Sequence, residues 1–185
     1  RKAHSFNQDL SNWDVSSVTN MFRMFSNTNG YDGNPGFNGD ISTWDVSNVI
    51  NMKEMFHEAE YFDQDLSGWD VSSVIDMQQM FQQSGFNGDI SGWDVSSIVS
   101  MNSMFNGASS FNQDLSGWNV SSVTDMMQMF NYATSFNQDL SSWDVSNIMQ
   151  MTEMFHGTDA LSDENKCAIH ESFSTNDAWP YDWSE

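Results

Sequence analysis

The apolar residues of this chain recur with one period over most of its length. Six times a Phe is followed by an Asp three residues later, a Trp seven residues later and a Met-x-x-Met-Phe run that begins fifteen residues later. Successive units are separated by 31, 25, 24, 25 and 25 residues, and they begin at Phe6, Phe37, Phe62, Phe86, Phe111 and Phe136. A repeat of this length predicts a stack of similar supersecondary units that share one continuous core.

Each unit carries the pattern of one strand and one helix. In the segment L-S-x-W-D-V, Trp and Val alternate with a polar residue, as in a short half-buried strand. From five residues after the Trp, apolar residues follow at offsets of three, as in Val74, Met77 and Met80, which is typical of one helix face. We therefore predict an α/β solenoid of about six 25-residue repeats, right-handed, with a parallel sheet on one face and short helices on the other.

Two parts of one domain follow from this reading. Residues 1–161 form the repeat array, with an insertion near residues 27–36, and residues 162–185 form a C-terminal helical cap. Ser162 precedes two acidic residues, which predicts a helix N-terminus there. The aromatic residues after this helix are expected to cover the open end of the stack.

The unit FNQDLSGWNVSSVTDMMQMF, residues 111–130, resembles the BspA-like class of leucine-rich repeats, a bacterial surface-protein repeat of about 26 residues. The resemblance implies a leucine-rich-repeat solenoid on a secreted or cell-surface protein, with adhesion as the expected role. It implies no enzymatic activity. Asn119 departs from the Asp found at that position in the other repeats, and the first junction carries six extra residues.

The charge balance narrows the class of partner. Twenty-six acidic residues against five basic ones give a net charge of −21, which repels phosphate backbones and anionic membranes. We therefore expect no nucleic-acid partner, and without an apolar run of about 18 residues we expect no membrane insertion. High acidity would equally serve solubility in a salty habitat. The start at Arg1 in mid-pattern, without a signal-like segment, suggests a fragment of a larger secreted protein.

One polar column lies directly after the Trp of each repeat. In leucine-rich geometry these side chains would line the concave sheet face about 5 Å apart, so that they repel one another. They are candidates for binding a basic protein surface, another cationic ligand or divalent cations. The alternative is structural, with serine or turn amides bonding the carboxylates. The candidate residues are Asp14, Asp45, Asp70, Asp94, Asn119 and Asp144.

A second acidic column precedes the predicted strand. Asp at this position would satisfy turn amides, and oxygen-rich columns also suit calcium, although no repeat contains an EF-hand or glycine-rich calcium pattern. Calcium is thus a weak candidate, and no other cofactor is indicated. The residues are Asp9, Asp40, Asp65, Asp89, Asp114 and Asp139.

Three further features could carry binding. Tyr31, in the insertion, is an aromatic that could anchor a partner, or the insertion is a tolerated surface loop. The six Trp residues would form a stacking platform if they faced outward, although the repeat pattern favours burial. Cys167 and His170 have a spacing that suits a metal, but two ligands do not make a site.

The sequence indicates a binding protein rather than an enzyme. The four His residues form no catalytic arrangement with Ser or Cys, and evenly repeated carboxylates lack the unequal environments that acid-base catalysis needs. We expect a non-catalytic extracellular adhesion module that recognises a protein or glycan through its acidic face. The alternatives are a structural spacer or stalk of a surface protein and a calcium-stiffened adhesin segment.

Overall fold

The computed structural model describes residues 6–26 and 36–184. Its one helix, α1, spans Asp163–Phe173, and no strand is present in the described part of the chain. The predicted α/β solenoid with a parallel sheet and one helix per repeat is therefore wrong. Each repeat is instead a succession of tight turns around a shared core.

The segment expected to be a strand is divided by turns. In the third repeat, the backbone N–H of Trp69 donates to the carbonyl of Leu66 at 3.1 Å, and that of Val74 donates to Val71 at 2.9 Å. Bonds between residues three apart define β-turns. Because two turns follow so closely, only one or two residues between them are extended, which is too few for a strand.

The segment expected to be a helix directs its backbone N–H groups to the neighbouring repeat. Gln79, Phe81 and Gln83 donate to carbonyls of the fourth repeat at 2.8 to 2.9 Å. The φ angles of Gln79 and Gln83 are +57° and +53°, in the left-handed region. An α-helix needs negative φ at every residue and bonds within its own segment, so the Met-x-x-Met-Phe run cannot be helical.

Adjacent repeats are held in register by parallel bridges one residue long. Each bridge joins equivalent positions, seven residues after the Trp, so the repeats stack without a shift. The pairs are Asn20 with Asn51, Asn51 with Asp76, Asp76 with Ser100, Ser100 with Asp125, and Asp125 with Gln150.

The predicted core columns are confirmed. From the second repeat onward, the Leu or Ile, Trp, Val, Met and Phe positions of the pattern are buried, whereas Trp13 and Met24 of the first repeat are 54% and 38% exposed. The second Phe of each repeat stacks on its equivalent at 5.6 to 5.7 Å between ring centroids. This column comprises Phe25, Phe56, Phe81, Phe105, Phe130 and Phe155.

The C-terminal helix was predicted correctly. The hydroxyl of Ser162 accepts the backbone N–H of Asn165, as an N-cap does, and Ile169 and Phe173 bury one face of α1 on the last repeat. The aromatic residues after α1 contact the exposed end of the Phe column: the rings of Trp179 and Trp183 lie 6.2 and 5.7 Å from that of Phe155. The cap thus covers one end of the stack.

Candidate functional site

The acidic face is the exposed column that follows the Trp of each repeat. The structure brings its six members to the surface at equivalent places in successive repeats, as expected, although no sheet underlies them. They are Asp14, Asp45, Asp70, Asp94, Asn119 and Asp144.

A serine two residues further on orients each side chain of the acidic face. In the fourth repeat, the Oδ1 atom of Asp94 accepts the backbone N–H of Ser96 at 3.0 Å and its hydroxyl at 2.6 Å. Asp14, Asp45 and Asp70 make the same two bonds. These local turns fix one carboxylate oxygen, so the serine bonds of the structural alternative are confirmed. The same alternative expected the bonds to tie repeats together, and this is wrong, because each bond joins residues two apart in one repeat. No bond to the second oxygen is seen for these four residues.

The second acidic column is organised in the same way. Each of its carboxylates accepts the backbone N–H of the serine two residues later, at 2.8 to 2.9 Å. All six side chains are exposed. The column is Asp9, Asp40, Asp65, Asp89, Asp114 and Asp139.

Hydrogen bonding outweighs charge repulsion at four members of the acidic face. Donation from the serine hydroxyl, followed by donation from its N–H, lowers the pKa of Asp14, Asp45, Asp94 and Asp144 below the usual value. The charge of Asp14 raises the pKa of Asp45, but this is the weakest of the influences on that group. These four carboxyl groups are therefore anionic at neutral pH.

Asn119 shows that the turn does not need a charge. Its Oδ1 atom accepts the N–H and hydroxyl of Ser121 at 3.2 and 2.7 Å, the same pair of bonds that the aspartates make. An amide oxygen is thus sufficient for the structural role. The negative charges at the other five positions are not explained by the fold.

Few cations lie close enough to neutralise these faces. Within the described residues, the ion pairs join Arg23 to Glu54 and Lys166 to Asp163. Neither pair includes a member of the two acidic columns. The charge of the acidic face is therefore neutralised by ions from solvent or by a partner.

Sequence reasoning overlooked an exposed aliphatic column six residues after the Trp, which we call the aliphatic stripe. Ile50, Ile75, Val99 and Met149 are 46%, 49%, 50% and 71% exposed. Thr19 and Thr124 occupy the same position in the first and fifth repeats. The sequence signal was an apolar residue between the buried Val or Ile and the polar bridge position. The helix prediction gave this residue no role.

The other candidates have separate outcomes. Tyr31 lies outside the described residues. An outward Trp platform is excluded in repeats two to six, where the indoles are 3 to 4% exposed and donate to carbonyls of the preceding repeat. His170 accepts the indole N–H of Trp179 at 3.1 Å. Over residues 6–26 and 36–184, no group of three or more His, Cys, Asp or Glu could hold a metal ion.

No helix in the part of the chain that the structure describes is long and apolar enough to cross a membrane. A family model described as "Mycoplasma protein of unknown function, DUF285" matches residues 1–36, 29–85 and 69–167. That family comprises the BspA-like proteins of Mycoplasma, but the identification of the chain as a leucine-rich repeat is wrong, because the repeats lack strands and helices. No curated protein and no solved structure matches the chain.

Proposed function

The chain belongs to the DUF285 family, and from this premise we propose that it is a non-catalytic binding module whose acidic face takes a partner protein with a basic surface. The family description assigns no function, so the argument rests on the surface of this chain. We propose that it acts outside the cell, at a cell surface or in an extracellular matrix.

The observation that carries the proposal is the equivalence of Asn119 to the five aspartates of the acidic face. Since the amide makes the same two hydrogen bonds, a purely structural column would tolerate Asn at every position. Five of the six exposed turns instead carry a carboxylate, and the charge of Asp14 raises the pKa of Asp45 in the next repeat. A cationic partner would offset that repulsion and gain from the complementary potential.

Charge complementarity selects a protein rather than a phosphate-bearing partner. A chain with net charge −21 repels nucleic acid and anionic lipid, and it attracts lysine- and arginine-rich surfaces. A neutral glycan could donate hydroxyl hydrogen bonds to the carboxylates, but it would gain no long-range attraction from their charge.

The test changes charge without changing the turns. We would replace Asp45, Asp70 and Asp94 with Asn and measure binding of an octalysine peptide by calorimetry over a series of salt concentrations. We expect the dissociation constant to rise at least tenfold and its salt dependence to flatten, with the melting temperature close to that of the native chain.

The matched control removes three charges elsewhere. Glu60→Gln, Asp159→Asn and Glu171→Gln alter exposed carboxylates outside both columns. The proposal requires these changes to weaken binding at most about threefold. Equal weakening in both variants would mean that binding follows net charge alone, in which case a structural spacer describes the chain better.

A further inference from the structure

The aliphatic stripe is an exposed apolar line along the stack, with Thr124 between Val99 and Met149. Its residues are joined by a backbone ladder: the N–H of Ile75 donates to Ile50 at 3.0 Å, that of Val99 to Ile75 at 3.3 Å and that of Thr124 to Val99 at 2.9 Å. The ladder continues from Met149 to Thr124 at 2.8 Å. The side chains therefore follow one another along the stack about 4.8 Å apart.

The fold does not require these side chains to be apolar. Thr19 and Thr124 occupy the same position and take part in the same ladder, so a polar side chain is compatible with the backbone. A preference for β-branched residues would explain Ile, Val and Thr, but it does not explain Met149, which is 71% exposed.

The spacing of the stripe suits a helix lying along the stack. Five positions from Ile50 to Met149 span about 19 Å at 4.8 Å per repeat. A helix presents one apolar side chain per turn of about 5.4 Å, whereas an extended strand presents one on the same face every ~6.7 Å. The mismatch per step is about 0.6 Å for the helix and about 1.9 Å for the strand, so only the helix stays in register.

The acidic face lies beside the stripe, and its carboxylates favour a helix that carries positive charge. The stripe and the acidic face flank the same turn, whose ends are joined in the second repeat by the bond from the Val49 N–H to the Val46 carbonyl at 2.9 Å. The Cα atoms of Val46 and Val49, the two ends of this turn, lie within about 7 Å of each other, and Asp45 and Ile50 are the residues directly outside them. A helix about 10 to 12 Å wide on the stripe therefore brings its flanking side chains over the carboxylates.

The C-terminal end of the stripe meets a notch of about 450 Å³ between the last repeat and the cap. Asn147 and Met149 line one side, and Thr175, Asn176 and Asp177 line the other. Asp177 is exposed there, so the notch offers an anionic end to the apolar line.

We propose that the aliphatic stripe, with the acidic face beside it, is a docking surface for a cationic amphipathic helix of a partner protein. Leu-like residues of the helix, one per turn, would contact Ile50, Ile75, Val99 and Met149, and its Lys and Arg residues would reach the acidic face. The proposal rests on the proposed function for the charge of the partner. A second copy of this chain or an anionic membrane is disfavoured, because either would bring negative charge to a surface of the same sign.

A designed peptide tests the docking surface on the whole chain. The probe is an amidated 17-residue helix with Leu at positions 1, 5, 8, 12 and 15 and Lys and Ala elsewhere, and binding is measured by fluorescence anisotropy. The control peptide has the same composition, but its Leu residues are distributed over all sides of the helix. We expect the native chain to bind the ordered peptide at least tenfold more tightly than the reordered one.

The variant that removes the stripe is Ile50→Thr, Ile75→Thr and Val99→Thr, which introduces the residue found naturally in the first and fifth repeats. Its dissociation constant for the ordered peptide should rise at least tenfold. Tyr61→Thr, at an exposed residue outside the stripe, should change it by less than twofold. Met149→Thr alone, expected to weaken binding about threefold, serves if the triple variant is unstable.

The outcomes separate this inference from the proposed function. If the Thr variants bind the ordered peptide as the native chain does while the Asn variant of the acidic face weakens it, the stripe is no docking surface and the acidic face stands. If neither variant weakens binding, both proposals are overturned. If ordered and reordered peptides bind equally, the helix is overturned as the occupant.

Discussion

Individual residues in the turns adopt the left-handed backbone conformation whether or not they are glycine. At the position fourteen residues after the Trp, Gln83 and Tyr132 have φ of +53° and +54°, and Gly107 and Gly157 have φ of +70° and +71°. Ordinary side chains are strained in this region by roughly 1 to 2 kcal/mol. The backbone hydrogen bonds to the next repeat therefore compensate for the strain at the residues that donate them.

A side chain at Gly157 should destabilise the fold. A Cβ atom there would lie 2.6 Å from the ring of Tyr132, and the φ of +71° adds backbone strain. We expect Gly157→Ala to lower the free energy of unfolding by about 1 to 2 kcal/mol in urea denaturation. Gly117→Ala, where a Cβ has open space and φ is not positive, should change it by less than about 0.5 kcal/mol. Equal effects at the two sites would contradict the left-handed conformation at Gly157.

The serine-bonded carboxylates separate structure from charge at single residues. Asp94→Asn keeps an oxygen that accepts both bonds from Ser96, as Asn119 does for Ser121, so it should lose only the charge-assisted part of these bonds, and the urea midpoint should fall slightly. Asp94→Ala removes the oxygen that accepts these bonds and leaves the backbone N–H of Ser96 without its acceptor, so the urea midpoint should fall further. An Asn variant as unstable as the Ala variant would mean that the negative charge itself stabilises the turn.

At the scale of the repeat, the Trp column links each unit to the one before it. The indole N–H of Trp93, itself 4% exposed, donates to the carbonyl of Leu66 at 3.0 Å, and the equivalent bond recurs in four other repeats. Each bond is buried, so water cannot replace it. Burial and directional bonding together fix the offset between repeats.

Removing one of these bonds should destabilise the whole stack. For Trp93→Phe we expect a loss of about 2 kcal/mol in the free energy of unfolding, from the hydrogen bond and the smaller ring. The matched control is Trp13→Phe, at a residue that is 54% exposed, and its effect should be under about 0.5 kcal/mol. Chemical denaturation followed by fluorescence measures both, and similar losses would argue against a stabilising role for the column.

A comparison of the repeats and the cap helix with the predictions shows which features could be read from the sequence. Hydrophobic spacing predicted the repeat boundaries and the buried columns, because burial follows residue type. The N-cap at Ser162 was predicted from the serine and the two acidic residues after it. Hydrophobic spacing did not give the backbone path, since Arg, Glu, Gln and Ser occupy left-handed positions that only glycine usually marks. The aliphatic stripe was overlooked because the helix prediction used only the offsets of the buried residues, such as Val74 and Met77, and gave no role to the position directly after the Val or Ile.

For the whole molecule, the lowered pKa values predict a stability that falls in acid. A carboxylate whose pKa is depressed on folding stabilises the folded state above its unfolded pKa of about 3.9, and this stabilisation is lost as the pH falls through the folded value. The melting temperature should thus be nearly constant from pH 8 to 5 and fall below about pH 4. Replacing Asp14, Asp45, Asp94 and Asp144 with Asn should make that fall shallower. A fall of unchanged steepness would place the acid sensitivity elsewhere.

The net charge predicts how salt acts on the entire stack. With −21 charges, self-repulsion opposes the compact state at neutral pH, so sodium chloride should raise the melting temperature by screening. Calcium and magnesium at matched ionic strength should raise it equally, because in the described residues no cluster of three or more ligating side chains could hold a metal. A specific site would behave differently: a ligand at 100 times its dissociation constant adds about 2.7 kcal/mol, which a melting curve resolves. A rise with calcium alone would therefore show that the acidic columns bind metal, and the calcium-stiffened segment would replace the cationic partner as the explanation of their charge.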